Sequence, residues 1–125
     1  MIGGIGTDIV SVKRIASSYD KLGDKFLDEI LCLTEKDFCL KHKLPELHIA
    51  VRFAAKEAVM KALGVGGLTH WHEIEIGKLV SGEPYVVLGG SMKEIYDAKH
   101  GTDIHLSMSH CDDYATAFVV VEVSE

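Results

Sequence analysis

The sequence has 125 residues, of which 47% are hydrophobic, and its formal net charge is −6 at pH 7. This length predicts one domain, residues 1 to 125, with a core of modest size. The acidic balance argues against a surface that binds nucleic acid. No basic segment precedes a long apolar stretch, so neither a signal peptide nor a membrane span is expected. The three cysteines lack the paired spacing of a metal site, which predicts free thiols in a reducing compartment and a cytoplasmic location.

The charge is divided unevenly along the chain. Residues 1 to 61 hold ten Lys and Arg against nine Asp and Glu, a net charge of +1. Residues 62 to 125 hold three against ten, a net charge of −7. The amino-terminal half can therefore carry a local basic face despite the acidic total.

Local patterns predict an α+β fold in which a long central helix and shorter helices pack on a small antiparallel sheet. The amino-terminal run to Val10 is strand-like, and Thr34 is the expected N-cap of the third helix. The predicted helices cover residues 12 to 22, 24 to 31, a stretch from Thr34, Pro45 to Gly64, and 91 to 99. The other predicted strands cover residues 73 to 79, 84 to 88, 103 to 109 and 114 to 123. A flexible segment is expected at residues 65 to 67, after the long helix.

The last two strands differ in their patterns. Residues 103 to 109 alternate, with apolar side chains on one face and His105, Ser107 and Ser109 on the other. Residues 117 to 121 are apolar on both faces, so both sides of that strand need covering. Helices of the same chain can cover them, and so can packing between subunits.

The amino-terminal run places an acid among apolar residues and glycines. Asp8 needs a compensating partner if it is buried, and either a metal ion or capping of the next helix would supply one. Gly4 and Gly6 permit close approach of a ligand or unusual backbone angles. They do not form a dinucleotide fingerprint, because Ile9 stands where the third glycine would be.

The long helix carries its charged side chains on one stripe. Phe53, Glu57 and Lys61 are spaced four residues apart, with Lys56 beside them, in a segment rich in Ala. This arrangement suits a carboxylate that holds a metal while the lysines hold phosphate. The alternative is an ordinary surface ion pair between Glu57 and Lys61.

Two further histidine motifs carry weaker signals. His70-Trp71-His72-Glu73 lacks the spacing of a zinc helix, so a structural role in a loop is favoured. His105 and Ser109 could suggest a nucleophile pair, but the chain has no Gly-x-Ser-x-Gly elbow.

Gly6 to Val10 together with Phe53 to Gly64 resemble the two signature motifs of the 4′-phosphopantetheinyl transferases, most closely those of the short bacterial type. The similarity spans essentially the whole chain in order, because it continues at Leu33 to Glu35, Gly82 to Leu88, Ile104 to His110 and Tyr114 to Ala117. The resemblance implies transfer of 4′-phosphopantetheine from coenzyme A to a serine of an apo acyl carrier protein, in support of fatty acid biosynthesis. It also implies a homotrimer with active sites at the subunit boundaries.

The resemblance assigns roles to residues near the reacting diphosphate. Asp8 and Glu57 would ligate Mg²⁺, and Lys61 and Lys56 would neutralise phosphate oxygens. His105 would contact the substrate and handle protons. The general base stays open between Glu57, a water on the metal and His105. Other coenzyme contacts are expected from Arg52, Lys43, Gly64 and Ser109.

A second set of residues is expected to meet the acidic carrier protein. Its members are basic and lie on the first two helices: Lys13, Arg14, Lys21 and Lys25. Two other function classes stay open. One is a non-catalytic trimeric module that binds coenzyme A or a related nucleotide and would not need both acids. The other is a small thioesterase-like enzyme, which would need no Mg²⁺ on a diphosphate.

Overall fold

The computed structural model describes residues 1–66 and 70–125. The helices there are α1 (Val12–Leu22), α2 (Asp24–Ile30), α3 (Leu33–Leu40), α4 (Pro45–Ala62) and α5 (Gly90–Ala98), with a 3₁₀ turn at Trp71–Glu73. The strands are β1 (Ile2–Ser11), β2 (Ile74–Lys78), β3 (Pro84–Leu88), β4 (Gly101–His110) and β5 (Tyr114–Val123). β1, β5 and β4 form one antiparallel sheet in that order, and β2 and β3 form a separate antiparallel pair. The predicted α+β class is confirmed.

Two local predictions need comment. Thr34 is not the N-cap of α3, because Cys32 holds that position and its N–H donates to Glu35 at 2.7 Å. The Thr34 hydroxyl donates instead to Glu75 on β2, at 3.0 Å. Of the segment expected to be flexible, Gly67 lies outside the described residues. Among the helices of the described ranges, none has the length and apolarity needed to cross a membrane.

Helix α4 lies directly against β1 because glycines leave room for it. A Cβ atom added at Gly4 would overlap the Ala62 carbonyl oxygen, and one added at Gly6 would overlap the Ala58 carbonyl oxygen. The small alanines of α4 and the glycines of β1 thus bring two backbones into contact. This contact fixes how the end of β1 lies against the last turns of α4.

The two faces of the three-stranded sheet have different surroundings. On the inner face, under α4, alternate residues of β5 such as Ala117 and Val119 are buried. On the outer face, Ile5, Ile9 and Phe118 remain exposed, Ile9 at 62% and Phe118 at 48%. The helices of one chain therefore cover one side of β5, although its residues 117 to 121 are apolar on both sides.

Lys56 is inside the protein rather than at a phosphate site. Its ammonium donates to the carbonyl oxygens of Ile30 at 2.8 Å and Trp71 at 2.9 Å, and to Glu35 at 2.6 Å. These three bonds use every donor that an ammonium has. The prediction that Lys56 contacts phosphate is therefore wrong, since its buried nitrogen has no donor left for a ligand.

The Glu35 carboxylate extends this buried network into neighbouring elements. Besides Lys56, it accepts the N–H groups of Cys32 and Ile76, both at 2.7 Å. The pair therefore ties the middle of α4 to the start of α3 and to β2. Each charge has at least two partners that lie 15 or more residues away in the sequence.

We expect the Gly6→Ala substitution to lower the free energy of unfolding by about 1–3 kcal/mol or more, because the new methyl group meets a backbone carbonyl. Urea unfolding followed by circular dichroism measures the change. Gly66→Ala is the matched control, since a Cβ there meets no atom of residues 1–66 or 70–125 within 4 Å. Equal stability of the two variants would contradict the close backbone contact.

We expect Lys56→Met to lower the free energy of unfolding by about 3–5 kcal/mol, because it leaves the Glu35 carboxylate buried without its cation. The double variant Lys56→Met/Glu35→Gln should lose less than the two single variants added together. The control is Lys93→Met, which breaks an exposed ion pair of 2.6 Å to Asp97 and should cost less than about 1 kcal/mol. A similar loss in Lys56→Met and Lys93→Met would rule out the buried role of Lys56.

Candidate active site

The structure brings Asp8, Glu57 and Lys61 together at the contact between β1 and α4. Asp8 is on the inner face of β1, and its side chain is 15% exposed. The Lys61 ammonium donates to the Asp8 carboxylate at 3.1 Å and to the Thr7 carbonyl oxygen at 3.0 Å. Glu57 lies one turn before Lys61 on the same stripe of α4. The sequence-based grouping of these three residues is thus met by the geometry.

The electrostatics of this cluster favour a bound cation. Partial burial and the nearby negative charge of Asp8 raise the pKa of Glu57, while Lys61 acts in the opposite direction. The charge of Asp8 makes ionisation of Glu57 more costly, and a positive ion between the two carboxylates would offset that repulsion. Lys61 supplies one positive charge and leaves the cluster with a net negative charge.

The donor set fits a hard divalent cation. Asp8 and Glu57 provide carboxylate oxygens, which Mg²⁺ prefers, and Mg²⁺ commonly keeps several waters or substrate phosphates in its shell. Within residues 1–66 and 70–125, no group of three or more His, Cys, Asp or Glu side chains is arranged to hold a metal. Two protein ligands therefore suit an ion whose shell is completed by a phosphorylated substrate.

A separate basic cleft lies at the edge of the sheet. It has a volume of about 290 Å³ and is bounded by the first half of α4, by β4 and by the β2–β3 hairpin. Its charged or ionisable lining residues are His48, Arg52, Lys78 and His110. The positive charges of Arg52 and Lys78, with no acidic residue among the described residues of the lining, make this cleft a place for an anion.

Arg52 is the buried cation of the basic cleft. Its guanidinium lies 4.2 Å above the centre of the Phe38 ring, and one Nη donates to the His48 carbonyl at 3.4 Å. The buried Nε atom has no hydrogen-bond partner in the described part of the chain. A buried N–H donor without an acceptor costs folding free energy, and a bound anion would supply the missing acceptor.

His105 and Ser109 lie on the outer face of the sheet, opposite the face that holds Asp8. The His105 ring is 2.5 Å from the Glu122 carboxylate, and the Ser109 carbonyl accepts the Thr116 hydroxyl at 3.4 Å. The expectation that His105 joins Asp8 at one site is therefore not met within a single chain. The alternation of β4 explains this, because odd-numbered residues there point away from α4.

The other expected coenzyme contacts are dispersed. Gly64 follows the end of α4 with φ of 71°, and its N–H donates to the Lys61 carbonyl at 3.1 Å. Lys43 is exposed in the segment between α3 and α4. The structure places both on the ends of α4 rather than beside each other.

A third feature surrounds Arg14. A largely apolar cleft of about 280 Å³ lies between β1, α1, α2 and α4, and its lining includes Arg14, Phe26 and Phe53. Arg14 is exposed on the first turn of α1, where its backbone N–H donates to the Ser11 hydroxyl at 3.3 Å. The remaining expected docking residues are exposed on the same two helices: Lys13, Lys21 and Lys25.

Sequence reasoning missed His48, Lys78 and the cleft beside Phe26. His48 precedes Arg52 by one helical turn, so the helical spacing could have indicated a shared face. Lys78 comes from β2, and no local signal relates it to α4. The apolar cleft needs four separate elements to form, and its residues look like ordinary core positions in the sequence.

Comparison with known proteins gives a consistent family. The model of the 4′-phosphopantetheinyl transferase superfamily matches residues 4–119. The holo-[acyl-carrier-protein] synthase of Protochlamydia amoebophila is 42% identical over 120 residues, covering 94% of this chain and 95% of that protein. That of Chlamydia muridarum is 44% identical over 123 residues, covering 97% and 95%.

Solved structures agree with these sequence relatives. The holo-[acyl-carrier-protein] synthase of Neisseria meningitidis has a TM-score of 0.89 at 40% identity, covering 98% of this chain and 99% of that chain. The Helicobacter pylori synthase, solved in complex with coenzyme A, has a TM-score of 0.82 at 37% identity, covering 94% and 99%. With a family model and relatives that span nearly its whole length, this chain belongs to the 4′-phosphopantetheinyl transferase superfamily.

Proposed function

We propose that this chain is a holo-[acyl-carrier-protein] synthase, which transfers 4′-phosphopantetheine from coenzyme A to a serine of an apo acyl carrier protein for fatty acid biosynthesis. The observation that carries the proposal is the cluster of Asp8, Glu57 and Lys61 at the β1–α4 contact. The name shared by its relatives and the coenzyme A complex of the Helicobacter pylori synthase support it. The whole chain, residues 1 to 125, works as one transferase domain.

Asp8 and Glu57 would hold Mg²⁺. When bound, this ion supplies positive charge that offsets the charge developing on the leaving phosphate. Asp8 and Glu57 fix its position on two elements whose relative placement is set by the contact of their backbones. Because this backbone contact is rigid, the two carboxylates would hold the ion, and with it the diphosphate, in a defined position.

Lys61 neutralises diphosphate oxygens beside the carboxylates. Its side chain is 54% exposed, so its ammonium can reach a ligand that approaches from solvent. The serine oxygen of the carrier forms a bond to the phosphorus that bears the pantetheine arm, and the serine proton is released. The bond from that phosphorus to the bridging oxygen breaks, which yields holo carrier and adenosine 3′,5′-bisphosphate. Positioning and charge stabilisation supply most of the catalysis.

The basic cleft would hold the nucleotide end of coenzyme A. Arg52 offers a buried donor that lacks an acceptor in the described residues, Lys78 adds a second positive charge, and His48 and His110 line the same cleft. Lys43 lies exposed near the start of α4 and adds a positive charge on that side.

The active form would be a homotrimer with sites between subunits. The outer face of the sheet exposes Ile5, Ile9 and Phe118, and it also carries His105 and Ser109. Packing of this face against a neighbouring copy would bury the apolar residues. It would also place His105 of one copy beside the Asp8 cluster of the next, which a single chain does not do.

The carrier protein would dock at the first two helices. Arg14 stands at the apolar cleft that includes Phe26 and Phe53, so an acidic partner with an apolar side chain could use both. Lys13, Lys21 and Lys25 are exposed on the same helices and would steer an acidic carrier.

Transfer is tested by the intact mass of an apo acyl carrier protein incubated with this protein, coenzyme A and Mg²⁺. We expect a gain of one phosphopantetheine mass that EDTA prevents. Asp8→Asn and Glu57→Gln should abolish the gain while circular dichroism stays unchanged, because each removes a ligand charge. The matched controls Asp37→Asn and Glu94→Gln alter exposed acids and should keep full activity. Full activity in both site variants would refute the metal assignment.

Sharing of the site between copies is tested by mixing inactive variants. Asp8→Asn and His105→Ala, unfolded and refolded together, should recover activity at about one quarter of the sites, because random mixing joins intact halves from different copies. A mixture of Asp8→Asn with Glu57→Gln is the control, since both changes lie in the same half and no intact site can form. Failure of the first mixture to recover activity would show that the two halves do not meet between copies.

A further inference from the structure

Three histidines from different elements meet at the basic cleft. The rings of His42, which precedes α4, and His48, on α4, have centroids 3.8 Å apart and planes tilted by 34°. The ring of His110, at the end of β4, lies edge-on with its centroid 6.4 Å from that of His48. His42 is held in place, because its Nδ1 donates to the Phe38 carbonyl at 2.8 Å. His48 thus lies between two other imidazole rings and forms part of the cleft wall.

The groups that face His48 come from every neighbouring element, and all of them are basic. They are His42, Arg52 on α4 itself, His110 on β4 and Lys78 on β2. Burial, followed by these groups in that order, lowers the pKa of His48 to about 4. The free cleft therefore keeps His48 neutral near neutral pH, and its fixed positive charge comes from Arg52 and Lys78.

An anion bound in the cleft acts in the opposite direction and raises the pKa of His48. A phosphate monoester carries a charge of about −1.5 to −2 at pH 7. An opposite charge within about 4–6 Å raises the pKa of a histidine by about 1–3. His48, which is neutral in the free cleft, then becomes protonated in mildly acidic solution when the phosphate is bound, and both of its ring nitrogens carry N–H donors.

We propose that His48, stacked on His42 and facing His110, couples binding of the 3′-phosphate of coenzyme A to the uptake of a proton. This inference rests on the proposed function, because it takes the nucleotide end of coenzyme A as the occupant of the cleft. It assigns His48 a specificity role: the histidine distinguishes the 3′-phosphorylated coenzyme from its dephosphorylated form, and the distinction is greater in acid than in base.

The direction of the pH dependence follows from linkage. The pKa of His48 is about 4 in the free cleft and higher beside a bound phosphate, so the complex holds more protons between these two values. Affinity for the 3′-phosphate therefore falls as pH rises through that window, by at most about tenfold per pH unit for one proton. The second ionisation of the free phosphate acts in the opposite sense, which a comparison with a variant cancels.

The test counts protons by titration calorimetry of the whole protein with adenosine 3′,5′-bisphosphate, in buffers of different ionisation enthalpy near pH 5.5, which lies above the pKa of His48 in the free cleft. We expect the natural protein to take up about 0.2 to 0.9 of a proton beyond His48→Gln, because a rise of about 1–3 in the pKa protonates that fraction at this pH. Adenosine 5′-monophosphate, which lacks the 3′-phosphate, should show no such excess. The control His100→Asn alters an exposed histidine with φ of 62°, a conformation that Asn tolerates, and should match the natural protein.

Equal proton uptake by the natural protein and His48→Gln would overturn the proposal. Histidine-ring NMR of the natural protein gives a second reading that needs no variant: the pKa of His48 should rise when adenosine 3′,5′-bisphosphate is added, and an unchanged pKa would overturn the proposal as well. The carrier mass assay distinguishes a failure of the His48 role from a failure of the proposed function. Transfer without linked protons rejects only the role of His48, whereas absence of both transfer and nucleotide binding rejects the proposed function with it.

Discussion

The contact between the backbones of β1 and α4 is the constraint on which the candidate site depends. Gly4 and Gly6 allow the strand to lie on the carbonyl oxygens of Ala62 and Ala58. Asp8 follows Gly6 on the same face of the strand, and the stripe that carries Glu57 and Lys61 runs alongside the two alanines. The separation of the acidic side chains is therefore set by two rigid elements rather than by flexible loops, which favours a preorganised site.

Helix α4 also separates two kinds of charge. Its last turns carry the Asp8 cluster with net negative charge, and its first turns border a cleft whose ionisable groups are basic. Between them the buried pair of Lys56 and Glu35 fastens the helix to α3 and β2. One helix thus borders an acidic cluster and a basic cleft at a fixed spacing, which suits a long substrate that carries phosphates at two places.

Local sequence patterns were enough to predict most helices and strands, since α1, β3 and β5 have the expected bounds. The grouping of Asp8 with Glu57 came from the resemblance of the two motifs to the transferase family, since no local pattern relates the strand of Asp8 to the helix of Glu57. Lys56 shows where such reasoning fails. It neighbours Glu57 in the sequence, yet its partners Ile30 and Trp71 lie 26 and 15 residues away. The pairing that buries it exists only in the folded chain, as does the basic cleft.

The glycines of this fold differ in what surrounds them, and that difference limits how the protein can evolve. At Gly77 and Gly101 an added Cβ would meet the side chains of Tyr85 and Tyr96. A smaller residue at either tyrosine could then restore the fit, so second-site suppressors are available. At Gly4 and Gly6 the obstacle is the main chain of α4, which no substitution on that helix removes. A substitution at either position therefore has no compensating substitution on α4, and the strand that carries Asp8 must keep glycine at both positions.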